Sequence, residues 1–163
     1  MVDPRDRTSW RELANITHEP DILSTNYAIR WLEQYSADSN EDKKPFFMAL
    51  GFKRPHLPFK APTKFYDLYP TQVPPASLPF LPENFPQIAW SPYYELISYT
   101  DIAALGIKGH FNTTMPQWKE IELRRAYYAC VSFVDSLFGD VMNALDRLDL
   151  SRDTIVLFIG LIY

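Results

Sequence analysis

The sequence predicts an α/β protein, and three features carry that reading. Two short apolar runs, Phe46 to Leu50 and Thr154 to Ile159, lack the polar alternation of a strand with one wet face. That is the pattern of strands covered on both faces in a parallel sheet. Apolar residues at helical spacing precede each run, from Ile22 to Tyr35 before the first and from Leu123 to Leu148 before the second. Strand, crossover, helix and strand form a βαβ order, whose crossovers are right-handed. The expected architecture is part of a sandwich of parallel strands with covering helices.

In chain order, Met1 to Pro20 is polar and without period, an irregular lead-in, and residues 21–163 hold the fold. Ile22, Ala28, Ile29, Trp31, Leu32 and Tyr35 predict an amphipathic helix with Asp21 or Thr25 as N-cap. The polar turn Ser36 to Asp42 ends it, and Phe46 to Leu50 follows as a strand bounded by Pro45 and Gly51.

Next comes Lys53-Arg54-Pro55-His56-Leu57-Pro58-Phe59. Pro55 and Pro58 fix their own φ and push Arg54 and Leu57 towards extended conformations, so His56 is held between two stiff points. Ligands collect beyond the carboxyl ends of strands in open α/β sheets, and Lys53, Arg54 and His56 there suggest an anionic substrate. The same residues also read as a histidine packed on prolines beside two solvated cations.

Thr63 to Leu68 has room for one or two helical turns, with Thr63 as N-cap and Tyr69-Pro70 as stop. From Pro74 to Pro92 prolines alternate with Leu78, Phe80, Leu81, Phe85, Ile88 and Trp90, too apolar for a solvated linker. This segment is expected to lie against the body, or else to be a disordered proline-rich ligand for a partner. Tyr93 to Leu105 is expected to be helical and Gly106 its stop, while His110 receives no role. The longest helix begins near Pro116, with Leu123, Tyr127, Cys130, Val134, Leu137, Val141, Leu145 and Leu148 on its core face. Cys130 on that stripe reads as a buried structural thiol. Ser151-Arg152-Asp153 then turns the chain into the second strand.

Composition narrows the function classes. At 163 residues, 47% hydrophobic and 15% aromatic, the chain is globular. A net charge of -4 gives no basic face for nucleic acid. One cysteine allows neither an internal disulfide nor a cysteine-rich zinc site. Met1 to Arg7 has no apolar core of a signal peptide, and no segment is apolar for long enough to span a bilayer. Asn15-Ile16-Thr17 and Asn112-Thr113-Thr114 are glycosylation acceptors, relevant if a longer precursor entered the secretory route.

Lys44 to Phe59, with Ala61-Pro62-Thr63-Lys64-Phe65 and Leu68-Tyr69-Pro70, resembles the sulfatases, and among them the iduronate-2-sulfatase branch and its bacterial relatives. The block Thr154 to Gly160 adds to the resemblance, which runs from about Asp21 to Gly160. It implies an alkaline-phosphatase-like α/β sandwich and a sulfuric ester hydrolase acting on sulfated glycosaminoglycan or another sulfate ester. It also implies calcium, a formylglycine nucleophile, and a lysosomal or secretory location. Of the family's pocket residues only His56 is matched, as a group that holds sulfate or protonates the leaving oxygen. Lys53 and Arg54 would bind a uronate carboxylate or a neighbouring sulfate.

Two departures stand beside the resemblance. Cys130 is followed by Val131-Ser132-Phe133, not by the spaced proline and arginine of the family's nucleophile block. After Gly160 the family has aspartate, histidine and glycine, where this chain reads Leu161-Ile162-Tyr163. No metal ligand is therefore assigned, and the chain is expected to be an incomplete segment of a catalytic domain, inactive alone and prone to self-association through exposed strands. The alternatives are a non-catalytic truncated or spliced product that only binds, and, within the fold, a phosphoryl or phosphonate hydrolase.

Overall fold

The computed structural model describes residues 7–14, 18–39, 43–78, 80–111 and 113–160, so the acceptors Asn15 and Asn112 lie outside the described residues. The chain divides into two compact units, Met1–Ile16 with Arg54–Phe133, and Thr17–Lys53 with Val134–Tyr163.

The first unit is built on a parallel pair. Strand β1, Trp10–Leu13, lies beside β2, Phe59–Pro62, with Trp10 opposite Phe59 and Leu13 opposite Pro62. The Phe59 N–H donates to the Ser9 carbonyl at 2.8 Å, and the ladder stops at Pro62, which has no N–H to give. A strand thus sits inside the stretch expected to be irregular. Four residues without alternation are too few for a periodic signal, and pairing with a distant segment decides the conformation.

Helix α2, Thr63–Tyr66, follows directly, with Pro62 and not Thr63 in the cap position. It drives Phe65 and Tyr66 into a core with Ala61, Val73, Ala126, Ala129, Cys130 and Phe133 all buried. The Phe65 and Phe133 rings are 5.4 Å apart, a tilted aromatic pair. The Tyr66 hydroxyl donates to the Arg11 carbonyl (3.2 Å) and the Phe59 carbonyl (3.0 Å), one from each strand. Burial, helped by Cys130 and Glu12, pushes that hydroxyl above its ordinary range.

The helix expected over Tyr93 to Leu105 is broken in two. A 3-10 turn at Leu96–Ser98 and helix α3, Thr100–Ala103, flank Tyr99, whose φ of -80° and ψ of 141° are extended. The break buries Tyr99 and Ile102 against Leu123. Gly106, at φ 69°, ends α3 as its sequence position suggests. Gly109 is required more strictly, because a Cβ there would sit 2.0 Å from the Pro92 carbonyl oxygen.

The proline-rich segment corrects an expectation. Val73 is buried, but Leu78, Phe80 and Ile88 are 86, 74 and 97% exposed, so most of the segment does not lie against the body. Two points fix it: the Ala76 N–H donates to Glu120 Oε1 at 2.5 Å, and the Trp90 indole N–H donates to the Gly109 carbonyl at 3.1 Å, with the Trp90 ring meeting Tyr93 and Phe111.

Helix α4, Gln117–Arg147, is the long helix expected after Pro116. Leu123, Cys130, Val134, Leu137, Val141 and Leu145 are buried along its predicted face, whereas Tyr127 is 42% exposed.

In the second unit helix α1, Pro20–Ala37, begins after Glu19 with Pro20 in its first turn, so neither Asp21 nor Thr25 is the N-cap. Both are instead buried inside the helix. The Thr25 hydroxyl donates to the Asp21 carbonyl at 2.8 Å, and Asp21 Oδ1 accepts the Lys53 N–H at 2.7 Å. Leu32 packs with Val141, Ala144 and Leu145, and Phe46, Met48 and Leu50 close over this cluster.

Neither apolar run is a strand among the described residues. Phe46, Met48 and Leu50 are covered while Phe47 is 93% exposed, so the first run has one buried face and not two. Ile155, Leu157 and Ile159 are 89, 79 and 75% exposed, and Phe158 makes a ring contact with Phe138 at 5.4 Å. A sheet strand needs a ladder partner for its N–H and C=O groups, and the described residues bring none to either run.

Candidate functional site

Arg54 and His56 belong to the first unit. Arg54 is 7% exposed, and its Nε donates to the Lys60 carbonyl at 3.0 Å. A guanidinium expected at the surface thus pins the loop onto β2 from inside. Arg54-Pro55 and Leu57-Pro58 are cis peptides, with His56 between them.

The His56 side chain is half-exposed. Its Nδ1 lies 2.9 Å from the Leu57 carbonyl, a distance at which Nδ1–H donates, and its Nε2 lies 3.5 Å from Glu95 Oε2. At 3.5 Å the second contact is an ion pair when the ring is protonated, not a tight hydrogen bond. Glu95 is held in turn by the Tyr99 hydroxyl, which donates to Oε1 at 2.9 Å. Burial first, and Glu95 second, push the Tyr99 hydroxyl up to about 12.

Imidazole, carboxylate and phenol form a chain that holds the half-exposed ring in place. Such a ring donates a hydrogen bond to an oxyanion or a proton to a leaving oxygen. Glu95 and Tyr99 were not found from the sequence, because a lone acid among tyrosines carries no spacing that links it to His56. Lys53 belongs to the second unit, where its side chain is exposed and its N–H is taken by Asp21.

A second polar cluster in the first unit is more deeply set. Asp101 Oδ1 accepts the Ser9 N–H at 2.8 Å, and its Oδ2 accepts the Ser9 hydroxyl at 2.5 Å and Lys119 Nζ at 2.7 Å. Lys119 also donates to Glu122 Oε2 at 2.5 Å. Burial opposes both charges, but the hydrogen bonds outweigh it: those from Lys119 and Ser9 hold Asp101 below the usual carboxylate range. Those to Asp101 and Glu122 hold Lys119 above the usual amine range. Every charge here has a partner, which marks the cluster as a clamp on the fold.

Among the described residues no group of three His, Cys, Asp or Glu side chains is placed to hold a metal ion. Cys130 is fully buried on α4 and does not face solvent. The side chains of the described residues fit neither a calcium site nor a formylglycine. No helix of the described residues is long and apolar enough to cross a membrane.

The sulfatase family profile matches residues 3–160, beginning well upstream of Asp21, and the chain belongs to the sulfatase family. With that family comes the alkaline-phosphatase-like α/β fold, of which the parallel pair and the long helices are a part. The chain is similar to iduronate 2-sulfatase of Mus musculus, 36% identical over 140 residues, which are 85% of this chain and 24% of that protein. It is 34% identical to iduronate 2-sulfatase of Homo sapiens over 85% of this chain and 24% of that one. A sulfatase of Formosa agariphila is 34% identical over 93% of this chain and 27% of its own length. The chain thus spans about a quarter of the length of the curated relatives it matches.

Proposed function

We propose that this chain is part of a sulfuric ester hydrolase of the iduronate-2-sulfatase type, residues 21–163 forming a segment of its catalytic domain, with a sulfated glycosaminoglycan as substrate. The observation that carries the reading is His56, half-exposed on a pinned loop, in a chain matched to the sulfatase family over residues 3–160. In hydrolysis water adds to sulfur and the ester S–O bond breaks, giving an alcohol and hydrogen sulfate. His56 supplies a hydrogen bond to the sulfate oxygens or a proton to the departing oxygen, with Glu95 Oε2 3.5 Å from its Nε2.

Arg54 serves this role by position, holding the loop from inside, while Lys53 offers an exposed ammonium to a uronate carboxylate or a neighbouring sulfate. Calcium and formylglycine belong to the reading as groups that other residues would supply. Lysosomal or secretory location, with glycans on Asn15 and Asn112, belongs to it too.

The chain alone is expected to show no turnover of an aryl sulfate, because nucleophile and metal act as a unit. Turnover that His56→Ala abolishes would show that the described residues suffice. The discriminating test of the reaction class is the coding sequence upstream of the Met1 codon. A Cys-x-Pro-Ser-Arg block supports the sulfatase, and a threonine or serine nucleophile overturns it in favour of a phosphoryl or phosphonate hydrolase.

A further inference from the structure

The first unit carries two adjoining clefts of about 390 and 430 Å³ that share Trp10 and Glu122. Both volumes fall within the range of small-ligand pockets, roughly 300–1,000 Å³. The first is lined largely by indole, amide and hydroxyl groups, and the second mostly by charged side chains. In one cleft Trp118 is 59% exposed, and Gln72 and Gln117 bring carboxamides that bond to no other described side chain or backbone group. Lys119 Nζ lies 5.7 Å from the Trp118 ring centroid, and the Trp10 ring is tilted on Tyr66 at 5.8 Å, so both indoles have a neighbour that steadies them. Arg125 is held by the Tyr69 and Tyr66 carbonyls, to which its Nε and Nη2 donate at 3.2 and 2.9 Å.

Charge decides the class of ligand. The two clefts together are lined by Arg11, Lys119 and Arg125 and by Glu12, Asp101 and Glu122, three cations against three anions. Such a balanced wall attracts neither a polyanion nor a cation. What the first cleft offers instead is flat indole surface, bordered by amides that both donate and accept hydrogen bonds. A pyranose ring has the matching form, with C–H bonds on its faces and hydroxyls around its edge. A nucleotide would stack on the same indoles, but its phosphate finds no net positive field here.

We propose that the cleft lined by Trp10, Trp118, Gln72 and Gln117 binds an uncharged hexopyranose unit of a glycan chain. The assignment does not depend on sulfate hydrolysis at His56, and either can fail without the other.

The test is titration of the chain with a neutral oligosaccharide, the N-acetylglucosamine tetramer, followed by the indole N–H resonances of its four tryptophans. Saturable shifts at Trp10 and Trp118, with Trp31 and Trp90 unmoved, are expected at millimolar sugar. Trp118→Ala should weaken binding about ten-fold and Gln72→Ala about three-fold, as expected for a lost stacking surface and a lost hydrogen bond. Both positions are exposed, so the circular dichroism of the variants should match that of the parent. Added salt should leave the affinity unchanged, since no charge is recognised. Shifts spread equally over all four indoles, no saturation, affinity unmoved by Trp118→Ala, or binding lost in salt would each overturn the proposal.

Discussion

Lys119 in the first unit is 4% exposed with two carboxylates on its ammonium, whereas Ile155, Leu157 and Ile159 in the second are 75 to 89% exposed. The first unit closes its polar groups on one another: Ser9, Asp101, Lys119 and Glu122 form one cluster, and Tyr66 spans both strands. The second buries one side of Phe46 to Leu50 on a helix pair and leaves apolar side chains of both runs in solvent. A closed polar network specifies a unique packing, while an open apolar run is a surface that seeks a cover. The polar cluster of the first unit is therefore limited by loss of a partner and the open run of the second by gain of one, as are Leu78, Phe80 and Ile88 in the first.

Core substitutions should have the largest effect and should treat the units alike. Phe133→Ala, which empties the space against Phe65, is expected to cost about 4 kcal/mol, and Leu32→Ala about 3 kcal/mol, by chemical denaturation. If the two losses appear in separate transitions, the units fold independently and the comparison sharpens.

Lys119→Met comes next and should cost about 3 kcal/mol, because it strands two carboxylates in a partly buried site. Its pH dependence has a fixed sign. Lys119 is raised above 10.5, so its contribution is complete below that value and is lost as pH climbs through the folded-state value. Asp101 is lowered from 3.8, so its contribution is complete above that value and is lost as pH falls through its folded-state value. Tyr99, raised from 10.0 to about 12, adds a loss of stability across that interval. Thermal melts of the parent should thus be flat from about pH 5 to 9 and fall on either side, the acid fall being smaller in Lys119→Met.

The smallest effect on stability should come from the open run. Leu157→Lys is expected to change it by less than about 0.5 kcal/mol, since Leu157 is 79% exposed. Sedimentation should nevertheless show less self-association than the parent, a charge on an exposed apolar run being a guard against pairing. Equal association in both proteins would remove the contrast between the units.

What was legible in the sequence followed from period and punctuation. The long stripe from Leu123 to Leu148 located α4, Gly106 located a helix end, and Cys130 was placed in the core by its neighbours on the stripe. Pattern without partners was misleading. Phe46 to Leu50 and Thr154 to Ile159 have the composition of buried strands, but a ladder is a property of two segments, and the pair that forms joins Trp10–Leu13 to Phe59–Pro62. At the candidate site His56 was visible because two prolines frame it. Arg54 reads from the sequence as a cation for an anionic substrate, because composition does not tell a buried guanidinium from a solvated one, and Glu95 with Tyr99 depends on a tertiary contact.

His56 is the proposed sulfate-facing group, and the chain supplies its own controls in His18 and His110, both exposed. Ring resonances of the three histidines should be followed while inorganic sulfate is added at constant ionic strength. The account predicts a saturable shift confined to His56. Equal, unsaturating shifts at all three rings would contradict it.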